Sequence, residues 1–206
     1  MGDLASLCDT VGIDPPPGWD RYLDTVKAWG ARTDLTAARN DRDLAEILFL
    51  DAAHLLRAGW VGSDTRWLDV GAGVGAPTIP LVLGVEDARC VLVEPRRRRV
   101  AFLRSAVGVL DLTERVDVRE TKVDPNAPAL DGSPFDIALS RATFDPATWL
   151  RVGLDLAQEV WVFTAGAALP EDTSGKAGPE LTLARRIDYR VPSTDAPRSV
   201  LAFRRA

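Results

Sequence analysis

Cysteine is scarce in this sequence. Cys8 and Cys90 are the only two in 206 residues, too few for a disulfide framework or a cysteine metal cluster, and no metal is expected. Cys90 opens the apolar run Cys90-Val91-Leu92-Val93 and reads as a small buried hydrophobe. Long apolar runs are missing too, since none approaches the ~20 residues of a membrane-spanning helix. The opening Met1-Gly2-Asp3-Leu4 lacks the basic, then apolar, pattern of a secretory leader. Gly2 and Ser6 match a myristoylation pattern only superficially. The cytoplasm is therefore the expected compartment. Nor is there an excess of positive charge: 25 basic against 30 acidic residues give −5. That argues against non-specific coating of nucleic acid, although local patches decide contact more than the total does.

What is present is an ordinary globular composition, 46% hydrophobic and 27% charged, enough for one α/β domain with a small extension. Residues 1–62 read as helices. Trp19, Tyr22, Leu23, Val26 and Trp29 recur at helical spacing behind Pro15-Pro16-Pro17, and a further helix runs from about Asp41 with Phe49, Ala52, Ala53, Leu56 and Trp60 on its apolar side. These stripes read as core packing. From Arg66 the rhythm changes. Short β-rich runs appear at Trp67–Val70, Cys90–Glu94, Val116–Arg119, Phe135–Ser140 and Val160–Thr164, with helical stretches such as Val100–Leu110 and Pro146–Gln158 between them. That alternation predicts a mostly parallel sheet with helices on both faces. Two last strand-like runs, Leu181–Val191 and Arg198–Arg204, flank a turn-rich segment. They bring the sheet to seven strands with an antiparallel end. The stretch Leu169–Pro179, rich in Gly, Pro, Ser and Thr, reads as a mobile loop.

The strongest local signal is Leu68-Asp69-Val70-Gly71-Ala72-Gly73-Val74-Gly75-Ala76-Pro77, a strand running into a glycine-rich turn and then a helix. Such a turn lets a ligand approach the backbone, and amides at a helix start favour an anionic group. Twenty-three residues beyond Gly71, at the end of the second strand, stands Glu94, placed to accept hydrogen bonds from both hydroxyls of a ribose. Gly71, Gly73 and Ala76 alone also satisfy the Gly-x-Gly-x-x-Ala fingerprint of nicotinamide enzymes. Three features favour S-adenosylmethionine instead: the acid Asp69 inside the first strand, the helical extension ahead of the loop, and the terminal antiparallel pair. Residues 63–206 are thus expected to form a class I, Rossmann-like S-adenosylmethionine-binding domain.

Further motifs sharpen this. Trp29-Gly30-Ala31-Arg32-Thr33-Asp34-Leu35-Thr36-Ala37, Phe49-Leu50-Asp51-Ala52, the glycine loop from Leu68 to Leu81, Arg98-Arg99-Val100-Ala101-Phe102-Leu103 and Ser140-Arg141-Ala142 together resemble the RsmG, or GidB, family of bacterial small-subunit ribosomal RNA guanine-N7 methyltransferases. The resemblance runs from about Tyr22 to Phe203. It implies donor contacts at Gly71, Ala76, Val123, Asp124 and Arg141, with Asp69, Gly73 and Glu94 completing the site, and Arg141 as the one residue singled out for catalysis. Arg96, Arg97, Arg98 and Arg99 are the candidates for contacting small-subunit ribosomal RNA. The chain departs from the family pattern at Ile47-Leu48, where the family carries Arg-His, at Ala52 for Ser, at Ala165-Gly166 for Lys-Gly, and at Gly30 and Asp34 for two asparagines. The lone His54 is displaced from the family's histidine and reads as a packed or exposed helix residue. Those departures leave two other functions open: a methyltransferase diverged to another substrate, and a non-catalytic donor-binding protein.

Overall fold

The computed structural model describes residues 2–165 and 181–206. The segment Leu169–Pro179, read above as a loop, lies outside the described residues. In chain order the elements are α1 (Gly2–Val11), α2 (Trp19–Gly30), α3 (Asp41–Arg57), β1 (Arg66–Val70), α4 (Thr78–Gly84), β2 (Arg89–Val93), α5 (Arg97–Val109), β3 (Val116–Arg119), β4 (Phe135–Ser140), α6 (Pro146–Leu156), β5 (Ala157–Thr164), β6 (Leu181–Arg190) and β7 (Pro197–Arg205). The seven strands form one sheet in the order β3-β2-β1-β4-β5-β7-β6. The five strands from β1 to β5 run parallel, and β7 pairs antiparallel with both β5 and β6. This is the class I methyltransferase sheet expected from the sequence.

Local chemistry sets several boundaries. Asn40 caps α3 by accepting from the Asp43 amide (2.8 Å), and Asp145 caps α6 from the Thr148 amide (3.0 Å) with Pro146 in the first turn. α5 begins three residues before the expected Val100, because the basic run Arg97–Arg99 is itself helical. β5 begins three residues before the expected Val160, because Ala157–Glu159 already pair with β4 and β7.

The faces of the sheet are covered unequally. Alternate residues of the strands, such as Trp67, Leu92, Leu139, Trp161 and Ala202, share one apolar cluster with α1 to α5. The opposite set, including Leu68, Val91, Ala138, Val160 and Phe203, packs against α6, the only described helix on that face. Helices on both faces were expected, but the connection from β3 to β4 carries none. Its Asp124-Pro125-Asn126 and Asp131-Gly132-Ser133-Pro134 are turn formers.

The amino-terminal helices belong to the larger core. Trp19, Tyr22 and Phe49 are fully enclosed, with Trp19 stacked on Phe49 at 4.7 Å between ring centroids. Two hydrogen bonds tie this core to α4 and to the loop after β1. The Trp19 indole donates to the Pro80 carbonyl (3.0 Å), and the Tyr22 hydroxyl donates to the Val74 carbonyl (2.6 Å). Large side chains buried this completely are worth about 1.5–3 kcal/mol each. We therefore infer that residues 1–62 are an integral extension of the unit formed by 63–206. A fragment beginning at Ser63 should be markedly less soluble, with a lower urea midpoint than the full chain. Equal midpoints would show that the extension is a separate module.

Candidate active site

The carboxyl ends of β1, β2 and β4 lie side by side, and the loop after β1 is held there by its neighbours. The amides of Gly71 and Ala72 both donate to the Val93 carbonyl (2.8 and 3.0 Å). Glu94, buried at the end of β2, accepts from the Gly73 amide through Oε2 and from the Arg96 amide through Oε1, each at 2.9 Å. One carboxylate thus fixes the middle of the glycine loop and the start of α5. On the other side, the Ser140 hydroxyl donates to the Val70 carbonyl (2.7 Å) and locks the end of β4 to the end of β1. Asp69 lies inside β1, fully enclosed, and accepts from the Thr78 hydroxyl (2.6 Å). It ties β1 to the first turn of α4. Burial pushes its carboxyl up to about 7, opposed by the Thr78 hydrogen bond and the charge of Arg141.

Two glycines show what the loop requires. Gly71 sits at φ +80, and a Cβ there would meet the Thr143 hydroxyl at 2.0 Å. Gly73 sits at φ +58, in a conformation that L-residues rarely adopt, and the nearest atom to a Cβ would be Arg99 Nη1 at 3.6 Å. The first glycine lets the β4 loop close on the turn. The second leaves an open cradle beside Glu94.

These residues fit S-adenosylmethionine. Each oxygen of Glu94 accepts one N–H and keeps a lone pair for a ribose hydroxyl. Among the described residues, the amides of Val74 and Ala76 donate to nothing, which leaves donors for the carboxylate of the methionine moiety. In the loop after β3, Val123 is buried and Asp124 is exposed, its carboxylate accepting from the Asn126 amide (2.9 Å).

Arg141 follows directly on β4 and pairs with a carboxylate of α3. Its Nη1 donates to the Ile47 carbonyl (2.8 Å) and to Asp51 Oδ2 (2.9 Å). Asp51 Oδ1 accepts from the Tyr189 hydroxyl, and Tyr189 stacks on His54 at 4.2 Å. Nη1 is thereby tied to α3. Ala142, the next residue, adopts φ 61, a left-handed conformation that costs about 1 kcal/mol and separates Arg141 from Thr143. His54 is half-buried in α3, and burial holds its imidazole below the usual range.

Beside Arg141 opens a cavity of about 570 Å³ between α3, the ends of β4 and β5, and the turn joining β6 to β7. Ile47, Phe144 and Phe163 line it, and Arg39 and Arg198 stand at its edge. The sequence reading missed both arginines. No motif marks them, and they line one cavity only because the segment leading into α3 and the start of β7, 159 residues apart in the chain, both border it. The expected RNA contacts lie elsewhere: Arg96, Arg97 and Arg98 are exposed around the start of α5, and Arg99 reaches back over the glycine loop. They border the donor crevice rather than this cavity. A larger hollow of about 760 Å³ lies at the opposite edge, where β1, β2 and β3 begin.

The family model for rRNA small subunit methyltransferase G, GidB, matches residues 18–198. The chain belongs to this family. It is 32% identical to the ribosomal RNA small subunit methyltransferase G of Anaeromyxobacter dehalogenans strain 2CP-C, over 90% of this chain and 86% of that one. Its likeness to the protein of the same name from Roseiflexus castenholzii is 30%, over 74% of this chain and 65%, just under two thirds, of the relative. Among solved structures, an O-methyltransferase from Bacillus cereus in complex with SAH superposes with a TM-score of 0.63 at 18% identity, over 90% and 91% of the two chains. TrmN from Thermus thermophilus does so at 0.55 and 19%, over 76% of this chain and 48% of that one. Fold and family together make this an S-adenosylmethionine-dependent methyltransferase.

The departures from the family pattern fall into two structural kinds. Leu48 and Ala52 are fully enclosed in the core, where apolar side chains serve packing. Ile47 faces the cavity, so its apolar side chain changes what the cavity offers. Ala165 also borders that cavity, while Gly166 lies outside the described residues.

Two predictions follow from the buried carboxylates. Replacing Glu94→Gln puts an NH2 against one of two amide donors, and should weaken S-adenosylhomocysteine binding by ~1–3 kcal/mol, read by calorimetry. For Asp69, the carboxyl holds its proton more tightly in the native state than at its ordinary 3.8. The native state therefore binds more protons between about pH 4 and 7, and its stability falls as pH rises through that window. Asp69→Asn should remove that fall. The stability difference between wild type and variant should shift by up to about 3 kcal/mol, at ~1.4 kcal/mol per unit, when urea melts at pH 4.5 and 7.5 are compared.

Proposed function

We propose that the protein methylates N7 of a guanine in small-subunit ribosomal RNA. The observation that carries this reading is the family match over residues 18–198, a span that includes the glycine loop, Glu94 and Ser140-Arg141-Ala142. Guanine N7 carries a lone pair and no proton, so the acceptor needs no general base. The bound S-adenosylmethionine supplies a sulfonium-activated methyl group. What remains for the chain is alignment and exclusion of water. Glu94 holds the loop and the start of α5 in register. The Ser140–Val70 hydrogen bond fixes the end of β4 relative to β1, and so the distance from donor crevice to cavity. Arg141, pinned by Asp51, sets the wall between them. A catalytic cysteine or histidine is unnecessary for this reaction, in keeping with the committed surroundings of His54 and the buried state of both cysteines.

A second reading, methylation of a different acceptor, is favoured by Ile47, which lines the cavity where the family pattern has arginine. The two separate in one experiment. Small subunits and deproteinised RNA from cells lacking the native enzyme are incubated with tritiated-methyl donor. Methyl incorporation at guanine N7 is the expected result. Normal S-adenosylhomocysteine binding with no incorporation into either RNA would sink the ribosomal reading. In the same assay Arg141→Ala should lower turnover about tenfold or more while changing RNA affinity less, because it disturbs alignment rather than contact.

A further inference from the structure

The cavity beside Arg141 is unusual in how its charges are spent. Its acids are all occupied. Asp51 accepts from Arg141 and Tyr189. Glu46 accepts from the Ser193 amide (2.8 Å) and hydroxyl, and lies 3.6 Å from Arg42. Asp43 accepts from the Arg39 amide (3.3 Å). Its two edge arginines are not occupied. Among the described residues neither Arg39 nor Arg198 pairs with a carboxylate, and the Arg198 guanidinium reaches only the carbonyl of neighbouring Pro197 (3.2 Å). Part of the lining is apolar and aromatic, with Ile47, Val162, Phe163 and Phe144, the last stacked on Trp149 at an interplanar angle of 11°. A ligand matching this arrangement has a flat apolar body and one anionic group. The volume, about 570 Å³, is that of a small-molecule site and admits one nucleotide.

We propose that this cavity receives a single unstacked purine nucleotide of an RNA strand, its base against Phe144 and Phe163 and its phosphate on Arg39 and Arg198. Unstacked bases in RNA are held by aromatic faces, and arginine pairs the backbone phosphate. Ser140 and Arg141 form the shared wall with the donor crevice, so a base seated here lies next to the glycine loop. This rests on the methyltransferase reading above and adds the place and chemistry of the acceptor. It also assigns phosphate contact to Arg39 and Arg198 in place of the exposed arginines of α5.

The test uses the full chain saturated with S-adenosylhomocysteine and a fluorescein-labelled, guanine-containing single-stranded oligoribonucleotide, followed by anisotropy at several salt concentrations. In the double variant Arg39→Ala/Arg198→Ala, affinity should fall about tenfold or more. The slope of log K against log salt should lose about 0.7 for one phosphate contact on a single strand. Phe144→Leu, which keeps an apolar neighbour for Trp149, should weaken binding about fivefold or more through lost stacking. Calorimetric binding of S-adenosylhomocysteine and the urea midpoint should match wild type in the double variant. The proposal is overturned if the oligonucleotide does not bind, or if the double variant binds with unchanged affinity and slope. A loss found instead in Arg97→Ala/Arg98→Ala would likewise move the contact to α5. Failure of the ribosomal reading looks different: oligonucleotide binding that depends on Arg39 and Arg198, with no methyl incorporated. Conversely, methylation by the double variant at unchanged KM overturns the cavity assignment and spares the ribosomal reading.

Discussion

Asp51 is the carboxylate on which the geometry of this protein turns. It stands in α3, outside the sheet, yet it gathers a guanidinium from the end of β4 and a phenol from β6. An unpaired charge in that position would be costly, and removing one partner of a buried pair typically strands the other at about 3–5 kcal/mol. Here the cost is smaller, because the Arg141 side chain keeps 27% of its surface exposed while Asp51 keeps 11%. The pair is better understood as a specifier than as a source of stability. It decides which turn of α3 meets which strand end, and thereby the shape of the cavity.

The same constraint explains which departures from the family pattern are neutral and which are consequential. Along α3, positions one turn apart share a face: Asp43, Ile47 and Asp51 line the cavity, while Leu48 and Ala52 face the core. Leu48 and Ala52 point inward and fill space. Ile47, whose carbonyl receives Arg141, puts a branched alkyl group where the pattern has a cation. Positive charge is nevertheless present at the same opening, in Arg39 and Arg198. Electrostatic contact with a phosphate depends on where charge stands in space rather than on which residue brings it. A site can therefore change its sequence signature while keeping its potential.

Much of the architecture was legible because it is written in local patterns. The strand from Arg66 to Val70, the glycine turn, Glu94 at the end of β2 and the antiparallel close all follow from periodicity and turn chemistry within short windows. Glu94 itself was legible only in part. Its place at the strand end follows from spacing, but its grip on the Gly73 and Arg96 amides is a matter of side-chain reach. Arg141 shows the opposite difficulty. Its motif was plain, while its partner Asp51 lies 90 residues earlier, beyond any local rule. The arginines that ring the cavity were illegible for the same reason. The conspicuous run Arg96–Arg99 drew attention because it is contiguous, whereas Arg39 and Arg198 become neighbours only through tertiary packing.

The cavity joins the two ends of the chain. Glu46 holds Ser193, and Asp51 holds Tyr189, across 147 and 138 residues. Contacts so distant along the chain carry a loop-closure cost and form late. The glycine loop and Glu94, 21 residues apart, can come together from a much shorter stretch. The grip of Glu94 on the glycine loop is thus local in sequence, whereas the cavity holds together only when α3 and the β6–β7 hairpin are both in place. Fraying of β6 and β7 would therefore open the cavity while leaving the grip of Glu94 on the Gly73 amide in place.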